Sequence, residues 1–289
     1  MYCVGNSGLL LRRRTRRTVV LLQTAHHFPT LRPPQRSALY SRRRIARYDV
    51  EAWLSRRTCA RAAAVCCVSE TLADAARSSW PEVADKVVAV PSTSPPLPEG
   101  GSGGTGGQAY CLFVANDYPH KEWCRVAQVF RDDERLPSLL VIGESPRERP
   151  CGVLPSDDLA PALAGEPVVW GGAVRDRARL AALYRGAAAV VVHSLTESGG
   201  LTLREALATN PRIVASDLPA HREVVEDTRA DVALYPPDAL DLLAEGIVRV
   251  LAAPARDRAG APASRTEADL GRDLLDVLAP DPTAAEVVG

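Results

Sequence analysis

Short apolar runs and helix-length amphipathic segments alternate along most of this chain. In its longer second part the runs are "YCLFVA" (110–115), "SLLVIG" (138–143), "PVVW" (167–170), "AAVVVHS" (188–194), "RIVAS" (212–216) and "VALYP" (232–236). Between most of them lie segments such as "KEWCRVAQVF", "RDRARLAALYRG", "LTLREALA", "AHREVVE" and "DALDLLAEGIVRVL", with apolar residues at helical spacing. Strands that are apolar throughout are buried on both faces, and their alternation with helices makes βαβ units and a parallel sheet. The first part holds similar runs, "YCVG", "TVVLLQ", "AAVCCVS" and "KVVAV", with an Arg-rich helix predicted within 36–63 and a shorter one over 70–79. The pattern predicts an α/β fold of two Rossmann-like domains. In such sheets ligands sit at the carboxyl ends of the strands.

The clearest punctuation is "LPEGGSGGTGG", Leu97 to Gly107, which reads as a flexible linker because six of its last eight residues are glycine. The expected organisation is a first domain over 1–97, a linker over 98–108, a second domain over 109–253 and a tail over 254–289. The tail begins as a polar Ala/Pro-rich loop, and "EADLGRDLLDVL" then predicts a final amphipathic helix and a frayed end.

Composition adds little for the whole chain. Its 289 residues suffice for two medium domains, and the formal net charge is zero. Locally, residues 1–61 carry fourteen arginines against Asp49 and Glu51 alone. Such a face can meet anionic lipid, nucleic acid or a phosphorylated substrate, or can simply be solvated and balanced by the acidic remainder. None of the seven cysteines forms a CxxC pair. They read as reduced thiols in a reducing compartment, with neither a disulfide framework nor a zinc site. No apolar run approaches the roughly 20 residues of a membrane helix. The first residues do not read as a secretory signal, because the arginines follow the short apolar run. A cytoplasmic protein, at most peripheral to a membrane, is expected.

The chemistry concentrates in "TESGGLTLREAL", Thr196 to Leu207, between a predicted strand and a predicted helix. Gly199 and Gly200 would let a ligand approach the backbone closely, and a helix start favours an anion. Glu197 would face the crevice, while Glu205, on the first turn, could accept two hydrogen bonds from a ribose diol. The plainer reading is a capping box, Thr202 at the N-cap and Glu205 three residues on, with the glycines serving only a tight turn.

Residues 183–227, "LYRGAAAVVVHSLTESGGLTLREALATNPRIVASDLPAHREVVED", resemble the nucleotide-sugar segment of the retaining GT-B glycosyltransferases of family 4. The family spaces two glutamates eight residues apart, as Glu197 and Glu205 are, with a glycine at the place of Gly200; "REAL", "IVASD" and "HREVV" match as well. "CLFVANDYPHKEWCRVAQVF", 111–130, resembles the family's first strand, loop and helix of that domain, with Lys121 at the lysine that begins the helix and contacts the donor diphosphate. Asn116 stands where the family usually has arginine, which removes one cation and increases reliance on Lys121. "WGGAVRDRARLAALY", 170–184, resembles the loop that holds the base, placing Val174 and Asp176 there. His193 stands where the family often has proline and is expected to be structural.

The resemblance implies transfer of a hexose or deoxyhexose from a nucleoside diphosphate sugar to a glycan, glycolipid or small-molecule acceptor, with retention. No metal or other cofactor is implied. Lys121 and the Gly199–Leu201 backbone would stabilise the departing diphosphate, Glu205 would hold the ribose, and Glu197 would hold donor-sugar hydroxyls and the charge developing at the anomeric carbon. The family's N-terminal, acceptor-side domain is larger than residues 1–97, so that domain is expected to be truncated. Gln23 and Thr24 stand where relatives have Gln-Asn, and His26 and His27 would line the cleft. The Arg-rich 36–61 would touch a lipid phosphate or the inner leaflet; no nucleic-acid partner is expected. Two alternatives stay open: a catalytically incompetent or partner-dependent nucleotide-sugar-binding protein, and a sugar-nucleotide epimerase of the same fold.

Overall fold

The computed structural model describes residues 2–4, 18–33, 36–93, 96–254 and 267–278. The arginines at 12–17, most of the polar loop after Pro254 and the last eleven residues lie outside them. The chain divides into two compact units, Met1–Ser94 with Arg265–Gly289, and Pro95–Ser264.

The first unit is built on four parallel strands in the order β1 (Tyr2–Val4), β2 (Val19–Leu22), β3 (Ala64–Cys67), β4 (Val87–Ala89). Every residue of β2 and β3 is buried, as their unbroken apolar sequences require. The crossovers are helices: the short α1 (Arg36–Leu39) and α2 (Arg42–Arg61) join β2 to β3, and α3 (Glu70–Ser79) joins β3 to β4. Ser41 caps α2 by accepting from the Arg44 N–H at 3.3 Å, and Ser69 caps α3 from Leu72 at 3.0 Å. The arginine face of α2 is partly balanced within the unit. Asp49 accepts from Arg32 at 3.3 Å and Arg36 at 2.9 Å, Glu51 from Arg47 at 2.7 Å, and Glu82 from Arg56 at 2.9 Å.

The second unit carries six parallel strands: β5 (Tyr110–Val114), β6 (Ser138–Ile142), β7 (Val168–Trp170), β8 (Ala189–Val192), β9 (Ile213–Ser216) and β10 (Ala233–Tyr235), in the order β10-β9-β8-β5-β6-β7. Adjacent strand residues point to opposite faces, so the sheet has two cores. Leu112, Leu140, Ile142, Val190 and Val192 pack on one face with α5 (Leu159–Gly165), α6 (Arg177–Gly186), α7 (Leu201–Leu207) and α8 (Pro219–Thr228). Phe113, Leu139, Val141, Val191 and Val214 pack on the other, with α4 (Trp123–Asp132) and α9 (Asp241–Ala252). The strand order reverses between β5 and β8, so the loops leaving their carboxyl ends diverge to opposite faces and leave a crevice.

Three sequence expectations change. The glycine stretch is packed, not loose: a Cβ on Gly101 would fall 2.5 Å from the Ala178 carbonyl oxygen and one on Gly106 2.9 Å from Ala160 Cβ. Arg185 donates to the Pro98 carbonyl at 2.9 Å and also to that of Gly100. The glycines there permit close approach to α5 and α6. The tail helix α10 (Glu267–Leu278) is present, but it belongs to the first unit, where Val277 packs on the core. Finally, Cys124 and Cys151 form a disulfide, with Cα atoms 4.9 Å apart, where only free thiols were expected. The spacing of 27 residues carries no motif; the fold of the α4 and 146–153 region brings them together. Cys59, Cys66, Cys67 and Cys111 are buried, and burial pushes all four thiols up, Cys59 and Cys111 to about 12.

Candidate functional site

The loops after β5 and β8, which flank the reversal of the sheet, meet. After β5 the chain runs through Asn116 to a 3₁₀ turn, Pro119–Lys121, and then through Glu122 in the left-handed conformation (φ 46°) into α4. The helix therefore starts two residues after Lys121, which rides on the turn in front of it. After β8 come His193, Ser194 and the Thr196–Gly200 loop. The Leu195 N–H donates to the His120 carbonyl at 2.9 Å, which ties the loops together. Beside this tie the Lys121 ammonium donates to Oε1 of Glu197, with only 12% and 18% of the two side chains exposed. Burial alone would push the Glu197 carboxyl up; the Lys121 ammonium overrides it, helped by His221 and His120, and holds it at about 2.

A second buried cluster supports the first. His193 is fully buried; Nδ1 lies 2.6 Å from the Tyr235 hydroxyl and Nε2 3.1 Å from Oε2 of Glu122. Glu122 also accepts from Arg125 at 2.8 Å. A non-glycine residue held left-handed carries strain, and here both carboxylate oxygens are anchored. Burial opposes the charge of Glu122, but the bonds to His193 and Arg125 win and lower its pKa. His193 is structural, as expected, and it orients the residue next to Lys121.

Gly200 is the N-cap of α7, with φ 62°, and no side chain caps it. Thr202 lies inside the helix, so the capping box is absent and Glu205 stands on the second turn. A left-handed N-cap explains why glycine occupies position 200, and a Cβ there would also lie 3.0 Å from Val224. Gly199 is buried and Leu201 is 45% exposed. Glu205 is half-buried, with the Tyr184 hydroxyl 3.4 Å from Oε2.

The remaining expected residues are placed less decisively. The Asn116 side-chain oxygen accepts from the Glu144 N–H at 3.1 Å, joining the loops after β5 and β6. Val174 is half-buried and packs against the α7–α8 core face, while Asp176 caps α6 by accepting from Ala178 N–H at 2.9 Å. In the first unit Gln23 is exposed at the end of β2, whereas His26 and His27 are only 7% and 2% exposed. The His26 ring stacks on Tyr48 at 4.7 Å, and both nitrogens of His27 lack partners among the described residues. Burial drives the pKa of each histidine down to about 4, with Arg36 adding to it at His26 and Glu51 opposing it at His27. These two are core residues of their unit. Among the described residues no group of three or more His, Cys, Asp or Glu could hold a metal ion, and no helix is long and apolar enough to cross a membrane.

The sheet is doubly wound and parallel, and the buried Lys–Glu pair lies at its switch point, where sheets of this kind hold their ligands. The family profile described as "Glycosyl transferases group 1" matches residues 109–253, and the chain belongs to that family. A search of the curated proteins finds no match. Solved structures of the GT-B type share the fold. The α,α-trehalose-phosphate synthase (UDP-forming) of Burkholderia vietnamiensis superposes with a TM-score of 0.58 at 16% identity, over 91% of this chain and 67% of its own. The sucrose-phosphate synthase of Thermosynechococcus elongatus gives 0.61 at 20% identity, over 91% and 63%. TarM gives 0.59 at 13% identity, over 92% and 51%. The chain thus spans about half to two thirds of the length of these structures.

Proposed function

We propose that this chain is a retaining, family 4-type glycosyltransferase whose second unit binds a nucleoside diphosphate sugar. The observation that carries the reading is the buried Lys121–Glu197 pair between the loops that flank the sheet reversal. A buried ammonium there is an electrostatic partner for a diphosphate as it leaves. Glu205, half-buried on α7, serves the ribose, and the backbone of Gly199, Gly200 and Leu201 lies alongside the diphosphate. Val174 borders the base. Asp176 contributes by fixing the start of α6, and Asn116 by holding its loop to that of Glu144. Glu197 meets the donor sugar and steadies positive charge at the anomeric carbon; no covalent glycosyl–enzyme step is assigned to it. The acceptor is a glycan, glycolipid or small molecule, brought by the first unit, and the exposed arginines of α2 suit a peripheral contact with anionic lipid.

The experiment is calorimetric titration of the chain with UDP, GDP and dTDP. One nucleotide is expected to bind preferentially, and Lys121→Ala or Glu205→Ala to weaken it at least tenfold. Equal affinity in the variants would remove both residues from the donor site. Binding without transfer to any acceptor would favour a nucleotide-sugar-binding protein that needs a partner; interconversion of the donor with no acceptor present would favour an epimerase.

A further inference from the structure

His221 lies in the first turn of α8 and is fully buried. Its Nδ1 is 2.7 Å from the Ser216 carbonyl oxygen. A carbonyl only accepts, so Nδ1 carries the proton of the neutral ring and Nε2 is left as a bare acceptor. Among the described residues Nε2 has no partner. The ring edge next to it borders the glutamate loop: a Cβ on Gly200 would lie 3.6 Å from His221 Cδ2. The charged and titratable groups that face His221 are Glu197 from the loop after β8, Lys121 from the turn after β5, His193 at the end of β8, and Asp217 after β9. Burial keeps the ring neutral; Glu197 pulls its pKa up, and Lys121 and His193 push it down.

The donor-site reading sets a problem that this ring can solve. Lys121 cannot serve a diphosphate and neutralise Glu197 equally well. When it turns to the phosphate, a mostly buried carboxylate is left without its counter-ion, which is costly. The lone pair of His221 is the nearby place for a replacement charge. We propose that His221 is a stand-by counter-ion for Glu197: binding of a nucleoside diphosphate draws Lys121 away, and one proton from solvent settles on Nε2 of His221, whose N–H then faces the carboxylate. No covalent bond changes. The Nδ1–H to Ser216 bond persists throughout and holds the ring in place. His221 is therefore a positioning residue acting through Glu197, and donor affinity becomes coupled to pH.

Two measurements on the full chain separate this inference from the donor-site reading on which it rests. The first needs no ligand: NMR titration of the His221 ring in the wild type and in Lys121→Met. Loss of the ammonium is expected to raise the His221 midpoint by more than one pH unit. An unmoved midpoint overturns the inference whatever nucleotides do. The second is calorimetry of the preferred nucleoside diphosphate at pH 7 in buffers of different ionisation enthalpy. The terminal phosphate titrates near pH 6 itself, so the informative quantity is wild type minus His221→Asn, a variant that keeps a donor for the Ser216 carbonyl. The wild type is expected to take up close to one proton more than the variant, and to lose affinity as pH rises from 6 to 8 where the variant stays flatter. Binding with equal proton uptake in both overturns the inference and leaves the donor site standing. Absence of binding by every nucleoside diphosphate, in a folded protein, overturns both.

Discussion

Both units are built on parallel sheets whose central strands are buried on both faces, but among the described strands only one of the two sheets turns back on itself. In the first unit the described strands advance in one direction, β1-β2-β3-β4. In the second, the order reverses between β5 and β8, and it is there that Lys121 and Glu197 meet. One buried histidine from each unit makes a second contrast. Among the described residues His27 in the first unit has neither ring nitrogen bonded, while His193 in the second has both engaged, to Tyr235 and Glu122. A buried polar ring inside a network fixes geometry; one without partners is simply carried by the core. The comparison teaches that a pattern of strands and helices alone makes no site, and that the winding order decides which loop ends converge.

The comparison can be strained at several points. The largest effect is expected from Gly143→Ala, because a Cβ there would stand 1.9 Å from the Ala115 carbonyl oxygen, backbone against backbone. The substitution should cost about 4 kcal/mol or more in chemical denaturation and disturb the Asn116 loop; a loss under 1 kcal/mol would mean the loops after β5 and β6 are not so close. Next, His193→Leu should cost about 3 kcal/mol, since it leaves the Glu122 carboxylate buried beside a hydrocarbon. It should weaken nucleotide binding too, through the displaced Lys121 turn.

Acid should act on both units through their buried histidines, since burial lowers His193 and His221 in the second as well. His26 and His27 have folded pKa values near 4, against 6.5 for the free side chain. The unfolded chain therefore binds the extra protons, so stability is highest above about pH 6.5 and falls as pH drops toward 4, by up to about 3 kcal/mol for each ring. Glu197, depressed to about 2 from 4.5, stabilises above 4.5 and loses that contribution only as pH falls toward 2. Hydrogen exchange is expected to show protection around residues 19–31 falling as pH drops from 7 to 5; unchanged protection there would contradict the assignment. Reduction of Cys124–Cys151, which closes a loop of 27 residues, should lower stability by about 2–3 kcal/mol and spare the first unit. Smallest of all, His27→Leu should be neutral or stabilise by about 1 kcal/mol at pH 7, because no hydrogen bond is lost. A clear loss would show that His27 has a partner in solution.

Much of the second unit was legible in the chain. Its strands coincide with the apolar runs to within a residue or two, because a strand buried on both faces has no polar position to blur its edges. Glu197, Gly200 and Glu205 stood out by the turn chemistry around them, and Lys121 through the resemblance of its segment to the family's. Packing changed three local readings. Thr202–Glu205 has the letters of a capping box, yet Gly200 takes the N-cap; the glycine stretch reads as flexible, yet it packs on α5 and α6; Gln23, His26 and His27 share a strand end, yet only Gln23 is exposed.

What the sequence by itself determined is the local order: which segments are strand or helix, that the strands run parallel, and that an acid–glycine–glycine–acid loop separates a strand from a helix. Period and composition suffice for that, since they act over a few neighbouring residues. Only the tertiary structure decided which distant segments meet. Lys121 and Glu197 are 76 residues apart, His193 and Tyr235 are 42 apart, and Cys124 and Cys151 are 27 apart. No local preference encodes such pairs; the order of strands in the sheet does, because it alone sets which loop ends lie side by side.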